Sequence, residues 1–167
     1  MKKFLSALFA LALAASCTSL DPKEYGIDVI PYPNEVSLKA GSYKVAGAVF
    51  HYDGNMDALS VQAVTDFADR LSKVTGKQSL VSEGHSRTGI NFVVDPALAP
   101  EEYSLVVNRK AVIIKASALN GFIYAIQTVK QMLPEEIFSD SLDQDEDWKL
   151  KCVVIKDAPR FAYRGMH

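Results

Sequence analysis

Hydrophobic and polar positions alternate along some stretches of the chain and recur every three or four residues along others, which divides it into strands and two helices. Ile30-Pro31-Tyr32-Pro33 is a stiff extended segment, because two prolines fix the backbone and forbid a helix. Val36, Leu38, Tyr43 and Val45 flank Gly41-Ser42, which predicts a hairpin over residues 35–45. A short strand at 48–52 stops at Asp53-Gly54-Asn55. Leu59, Ala63, Phe67 and Leu71 then recur every four residues, and Val64, Ala68 and Val74 widen the stripe into an amphipathic helix. Asn55 or Asp57 caps its start, and Gly76 ends it in the left-handed conformation. Residues 78–88 are polar and read as a loop with a short strand at 79–81.

Residues 89–95 form a buried strand that Asp95-Pro96 breaks. Tyr103, Leu105 and Val107 share one face of the next strand, and Asn108-Arg109-Lys110 turns it into a partner at 111–116. Ser117 caps a second helix, whose stripe is Leu119, Phe122, Ile123, Ile126, Val129 and Leu133, with Pro134 halting it. Gly121 inside that helix costs up to about 1 kcal/mol relative to alanine. Its presence implies that the helix backbone comes very close to a neighbour. After an acidic loop, residues 148–155 form a last strand. Strands outnumber helices and hairpins are visible. The fold class is therefore α+β, a mainly antiparallel sheet with two helices packed on one face.

Composition narrows the function classes. The chain has 167 residues, 49% of them hydrophobic, and a formal net charge of -2. That balance argues against nucleic acid, which needs a clustered basic surface. The first residues carry an export signal: Lys2 and Lys3, then an apolar run from Phe4 to Ala15 too short to span a bilayer. The run ends in Ala14-Ala15-Ser16-Cys17, the pattern of a lipoprotein processing site with Cys17 as the lipidated residue; the alternative is an ordinary secretory signal in which Cys17 is incidental. The first predicts an exported protein, lipid-anchored to the bacterial cell envelope. Cys152, the only other cysteine, then has no partner, and its alternating surroundings read as a strand that buries it as a small hydrophobe.

Candidate chemistry is sparse. Glu135-Glu136 and Asp143, Asp145, Glu146 and Asp147 lie in the acidic loop, where solvated acids lack the burial a catalytic acid needs. His51, His85 and His167 show no metal-ligand spacing, so neither a metal nor a cofactor is expected. Glu83-Gly84-His85-Ser86 lacks the strand-to-helix setting of a nucleophile elbow.

Three stretches together carry a resemblance. They are Val29-Ile30-Pro31-Tyr32-Pro33-Asn34-Glu35-Val36; the block Tyr103–Val107 through 111–116 into Gly121-Phe122-Ile123-Tyr124-Ala125-Ile126-Gln127-Thr128 and Leu133-Pro134; and Ile155 through Ala158-Pro159-Arg160-Phe161-Ala162-Tyr163-Arg164-Gly165-Met166-His167. In this order they resemble the non-catalytic amino-terminal domain of family 20 glycoside hydrolases, the β-N-acetylhexosaminidases. The resemblance implies a zincin-like α+β accessory domain over 29–157, after a signal at 1–17 and a tether at 18–28. Residues 158–167 would then begin a (β/α)8 catalytic barrel.

In the family, that barrel removes terminal β-linked N-acetylhexosamine from glycans. A catalytic Asp-Glu pair carried by that barrel, beyond the residues this resemblance covers here, supports a substrate-assisted retaining mechanism. The resemblance assigns no catalytic residue here. It makes Arg164 a substrate-binding residue only with the barrel present, and the barrel in cis the domain's expected partner. It also makes Phe161-Ala162-Tyr163 an apolar stub that a fragment would leave uncovered. The alternative is a stand-alone lipid-anchored module that binds glycans without enzymatic activity, for which Trp148 and scattered tyrosines are the aromatics on offer.

Overall fold

The computed structural model describes residues 27–161. The chain order is β1 (Glu35–Lys44), β2 (Phe50–Tyr52), α1 (Ala58–Thr75), β3 (Val81–Glu83), β4 (Gly89–Val94), β5 (Tyr103–Val107), β6 (Ala111–Ala116), α2 (Leu119–Gln131), a 3-10 turn (Glu135–Phe138) and β7 (Lys149–Asp157). All seven strands join one sheet in the order β1-β7-β5-β6-β4-β2-β3. The fold is α+β, as expected, and its sheet is mixed. The β1–β7, β7–β5 and β5–β6 pairings are antiparallel. The β6–β4, β4–β2 and β2–β3 pairings are parallel.

Two local expectations change. The apolar positions around Gly41-Ser42 do not fold back as a hairpin. They stay in β1, which pairs with β7 along its length. Between Leu38 and Ser42 β1 advances four residues while β7 advances two, so the turn signal is spent on a bulge. Gly41 sits there at φ 111° with the Arg109 side chain laid across it. Ser117 does not cap α2 either. Ala118 occupies the N-cap without a side-chain bond, and the Ser117 hydroxyl donates instead to the Ala99 carbonyl.

The caps of α1 are those the sequence predicts. Gly76 adopts φ 65° and its N–H donates to the Ser72 carbonyl. Asp57 accepts from the Leu59 and Ser60 amides at 3.0 Å each, and from the Ser60 hydroxyl at 2.5 Å. The Ser60 hydroxyl, with the two amides behind it, holds the Asp57 carboxyl below its ordinary 3.8. A carboxylate with a lowered native value stabilises the fold above its unfolded value and ceases to as pH falls through the native one. Asp57→Ala should therefore cost about 1 kcal/mol near neutrality. The gap between the two proteins' urea midpoints should close as pH drops below 3.8.

The core lies between the sheet and the helices. Phe50 of β2 meets Phe67 of α1 edge-on at 5.5 Å and stacks on Phe92 of β4 at 6.1 Å. Phe92 in turn meets Phe122 of α2 at 6.1 Å. These rings tie both helices to the parallel half of the sheet. Val112 and Ile114 of β6, Leu105 and Val107 of β5, and Val153 and Ile155 of β7 extend the same buried cluster across the antiparallel half. Between the helices, the Lys130 ammonium lies 5.7 Å over the Phe67 ring. Burial, together with nearby Arg70, pushes that lysine below its ordinary value.

Candidate interdomain groove

The two ends of the described chain meet beside α2. Ile27 and Val29 are buried, so the core begins inside the stretch that reads as a tether. Past Val29 the chain rises to the surface. There the Ile30 amide donates to the Gln131 carboxamide at 2.8 Å, next to a cis Ile30–Pro31 bond. At the other end, β7 runs out through Ala158-Pro159-Arg160-Phe161.

Asn34 joins the two. Its amide donates to an Asp157 carboxylate oxygen at 3.0 Å, and its Nδ2 donates to the Ala158 carbonyl at 2.8 Å. Arg160 Nε donates to the Asn34 Oδ1 at 3.2 Å.

These segments wall an open groove of about 550 Å³ along α2. Its rim is apolar: Ile30 is 75% exposed and Phe161 73%. Its floor includes Tyr103 and Thr128, whose hydroxyls lie 2.7 Å apart. Glu101 and Asp157 are the carboxylates of the lining. Each already serves the fold: Glu101 accepts from the Tyr124 hydroxyl at 2.9 Å, and Asp157 from the Asn34 amide. The arrangement is suited to holding an apolar surface.

Burial pushes the Tyr103 phenol up to about 12, with the Thr128 hydrogen bond opposing the rise and Asp157 adding to it. A raised phenol stabilises the fold below its unfolded value and stops doing so as pH climbs through the native one. Tyr103→Phe should cost about 1 kcal/mol at neutral pH, because Thr128 loses its partner. The deficit should shrink between pH 10 and about 12, read as converging urea midpoints.

The other described residues singled out for their chemistry lie apart from the groove. Cys152 is buried on β7, as expected. Trp148 is also buried, its Nε1 donating to the Asp143 carbonyl at 2.9 Å. His85 pairs with Asp53, whose other carboxylate oxygen accepts from the Val94 amide at 2.6 Å. Glu136, Asp143 and Glu146 come within 4.8 Å of one another, but Asp143 is occupied by the Asp145 and Glu146 amides of its own turn. Cys17, Arg164 and His167 lie outside the described residues. The sequence alone assigns no role to Asn34 or Gln131. The available signal was an amide side chain directly after a stiff Pro-Tyr-Pro segment.

The chain matches the family model described as glycosyl hydrolase family 20, domain 2, over residues 26–158. It is 28% identical over 169 residues to a β-hexosaminidase of Porphyromonas gingivalis, covering 96% of this chain and 21% of that protein. Among solved structures it resembles the Streptomyces plicatus N-acetyl-β-hexosaminidase with a TM-score of 0.72 and 29% identity, over 81% of this chain and 27% of that one. The Streptomyces coelicolor family 20 β-N-acetylhexosaminidase gives a TM-score of 0.71 and 30% identity, with the same coverage. The chain thus spans between a fifth and a third of the length of these relatives. The match runs from just before buried Ile27 to Ala158 at the groove, and on that evidence the chain belongs to glycosyl hydrolase family 20, as its domain 2.

Proposed function

We propose that this domain is the non-catalytic front of a β-N-acetylhexosaminidase, and that its groove seats the catalytic domain of the same chain. The carrying observation is the apolar rim of Ile30 and Phe161, placed where β7 hands the chain onward. Apolar groups left open at such a place are surface for another fold to cover. The activity this supports is hydrolysis of terminal β-linked N-acetylhexosamine, with the Asp-Glu pair and the sugar pocket supplied by the following domain. Arg164 would join that pocket as a grip on sugar hydroxyls. The stand-alone glycan-binding reading loses its best aromatic platform, since Trp148 is buried.

Ile30→Ser with Phe161→Ser tests the seating. In the natural full-length product the double variant should shorten the half-life of hexosaminidase activity on warming, while leaving the melting of the isolated chain nearly unchanged. A full-length enzyme indifferent to both changes overturns the reading. The isolated chain itself should release no chromogenic aglycone from an N-acetylglucosaminide.

The export signal supports a place at the cell envelope, with a lipid on Cys17 as the anchor. Cys17→Ser should abolish fatty-acid labelling and move the product out of the membrane fraction. Undiminished labelling of that variant would remove the anchor from the account.

A further inference from the structure

The groove is bounded by the chain as it leaves β7, and one carboxamide meets that stretch twice. β7 ends at Asp157, after which Ala158 and Pro159 carry no strand pairing. Asn34 contacts this stretch at three successive levels: its N–H to Asp157, its Nδ2 to Ala158, and its Oδ1 from Arg160. Both ends of one carboxamide are thereby used, the NH2 as donor and the carbonyl as acceptor, across 124 and 126 residues of sequence. The amide is itself well placed. It follows Tyr32-Pro33, where proline restricts the backbone before it. The Ile30 amide ties the same segment to Gln131 at the end of α2.

We infer that Asn34 is a positioning residue, whose carboxamide clamps Ala158 and Arg160 and so sets the direction in which the chain leaves β7 beside the groove. This rests on the docking role proposed above for its importance to the enzyme, but the clamp is a property of this domain alone. Neither aspartate nor glutamine suits the site as well. Aspartate keeps the acceptor for Arg160 and loses the donor to Ala158. Glutamine keeps both groups but moves them outward by one methylene.

The Arg160–Phe161 bond reports on the clamp, because trypsin must draw the surrounding residues into an extended form to cut after Arg160. The isolated 167-residue chain is digested briefly, and the cut is followed by mass spectrometry beside those after Arg70, Arg87 and Arg109. Asn34→Ala should speed cleavage at Arg160 about fivefold, the effect of losing one net-favourable hydrogen bond on a local opening. Asn34→Asp should fall between the two. Cleavage after Arg87 and Arg109, which lie in loops away from Arg160, should hardly move, and the urea midpoint should fall by no more than that one bond contributes. An unchanged rate at Arg160 overturns the clamp. So does a rise shared equally by all four sites, which would make Asn34 a general stabiliser. Neither outcome depends on a second domain, so the clamp and the docking role can fail separately.

Discussion

Replacing Phe92 with alanine should remove about 4 kcal/mol of stability, the upper part of the range for a buried aromatic. Phe92 is fully buried in β4 and touches two other rings, Phe50 at 6.1 Å and Phe122 at 6.1 Å. Its ring is one link between the β2–α1 pair and α2. Removing it deletes the transfer energy of a buried aromatic, leaves a cavity walled by rigid neighbours, and forfeits two ring contacts worth about 0.5–1.5 kcal/mol each beyond their area. Native stabilities of about 5–15 kcal/mol make that a large fraction of the whole. Urea unfolding followed by circular dichroism gives the figure directly. A loss below about 1 kcal/mol would mean that the core collapses around the gap and that the aromatic chain is not what joins the layers.

The second large effect has a sign that propensity alone would get wrong. In an exposed helix, Gly→Ala stabilises by about 1 kcal/mol. At Gly121 an added Cβ would sit 2.5 Å from the Glu102 carbonyl oxygen and 2.8 Å from the Ala116 Cβ. The first is backbone, held by the β5 end of the sheet, and cannot swing aside. Either α2 shifts outward, opening the Phe122 and Ala125 contacts, or the segment before β5 is displaced. Overpacking of this kind costs typically about 1–3 kcal/mol and at times more, so Gly121→Ala should destabilise by about 2 kcal/mol net. A gain in the thermal midpoint would show that the close approach of α2 to the sheet is not what this glycine serves.

Gly121 also shows what the sequence reveals and what it hides. A glycine inside an otherwise sound helical stripe implies a close neighbour, and the neighbour is present: the carbonyl of Glu102. The same directness holds for α1. Asp57 and Gly76 are helix signals whose physics is local, and both act as their types predict. Gly41-Ser42 marks the limit. A glycine with positive φ serves a hairpin turn or a bulge equally, and only the pairing partner decides. That partner is β7, more than a hundred residues away in sequence.

The parallel half of the sheet was hidden for a related reason. β2 and β3 have three residues each, too few to show a period, and their pairing depends on the crossover through α1. Ser117 failed as a cap because a tertiary acceptor, the Ala99 carbonyl, took its hydroxyl first. The groove was least legible of all. Its parts, Asn34, Gln131, Tyr103, Asp157 and Phe161, are scattered and of ordinary types, and they meaningfully meet only when β1 and β7 lie side by side.

On the function proposed here, this domain works as the docked front of a hexosaminidase. The most direct measurement is the mass and activity of the native product, captured from its source cells with an antibody against residues 27–161. The expected product is a band several times heavier than 18.3 kDa that releases the aglycone of a chromogenic N-acetylglucosaminide. A captured band near the mass of the chain itself, with no such turnover, would contradict that function.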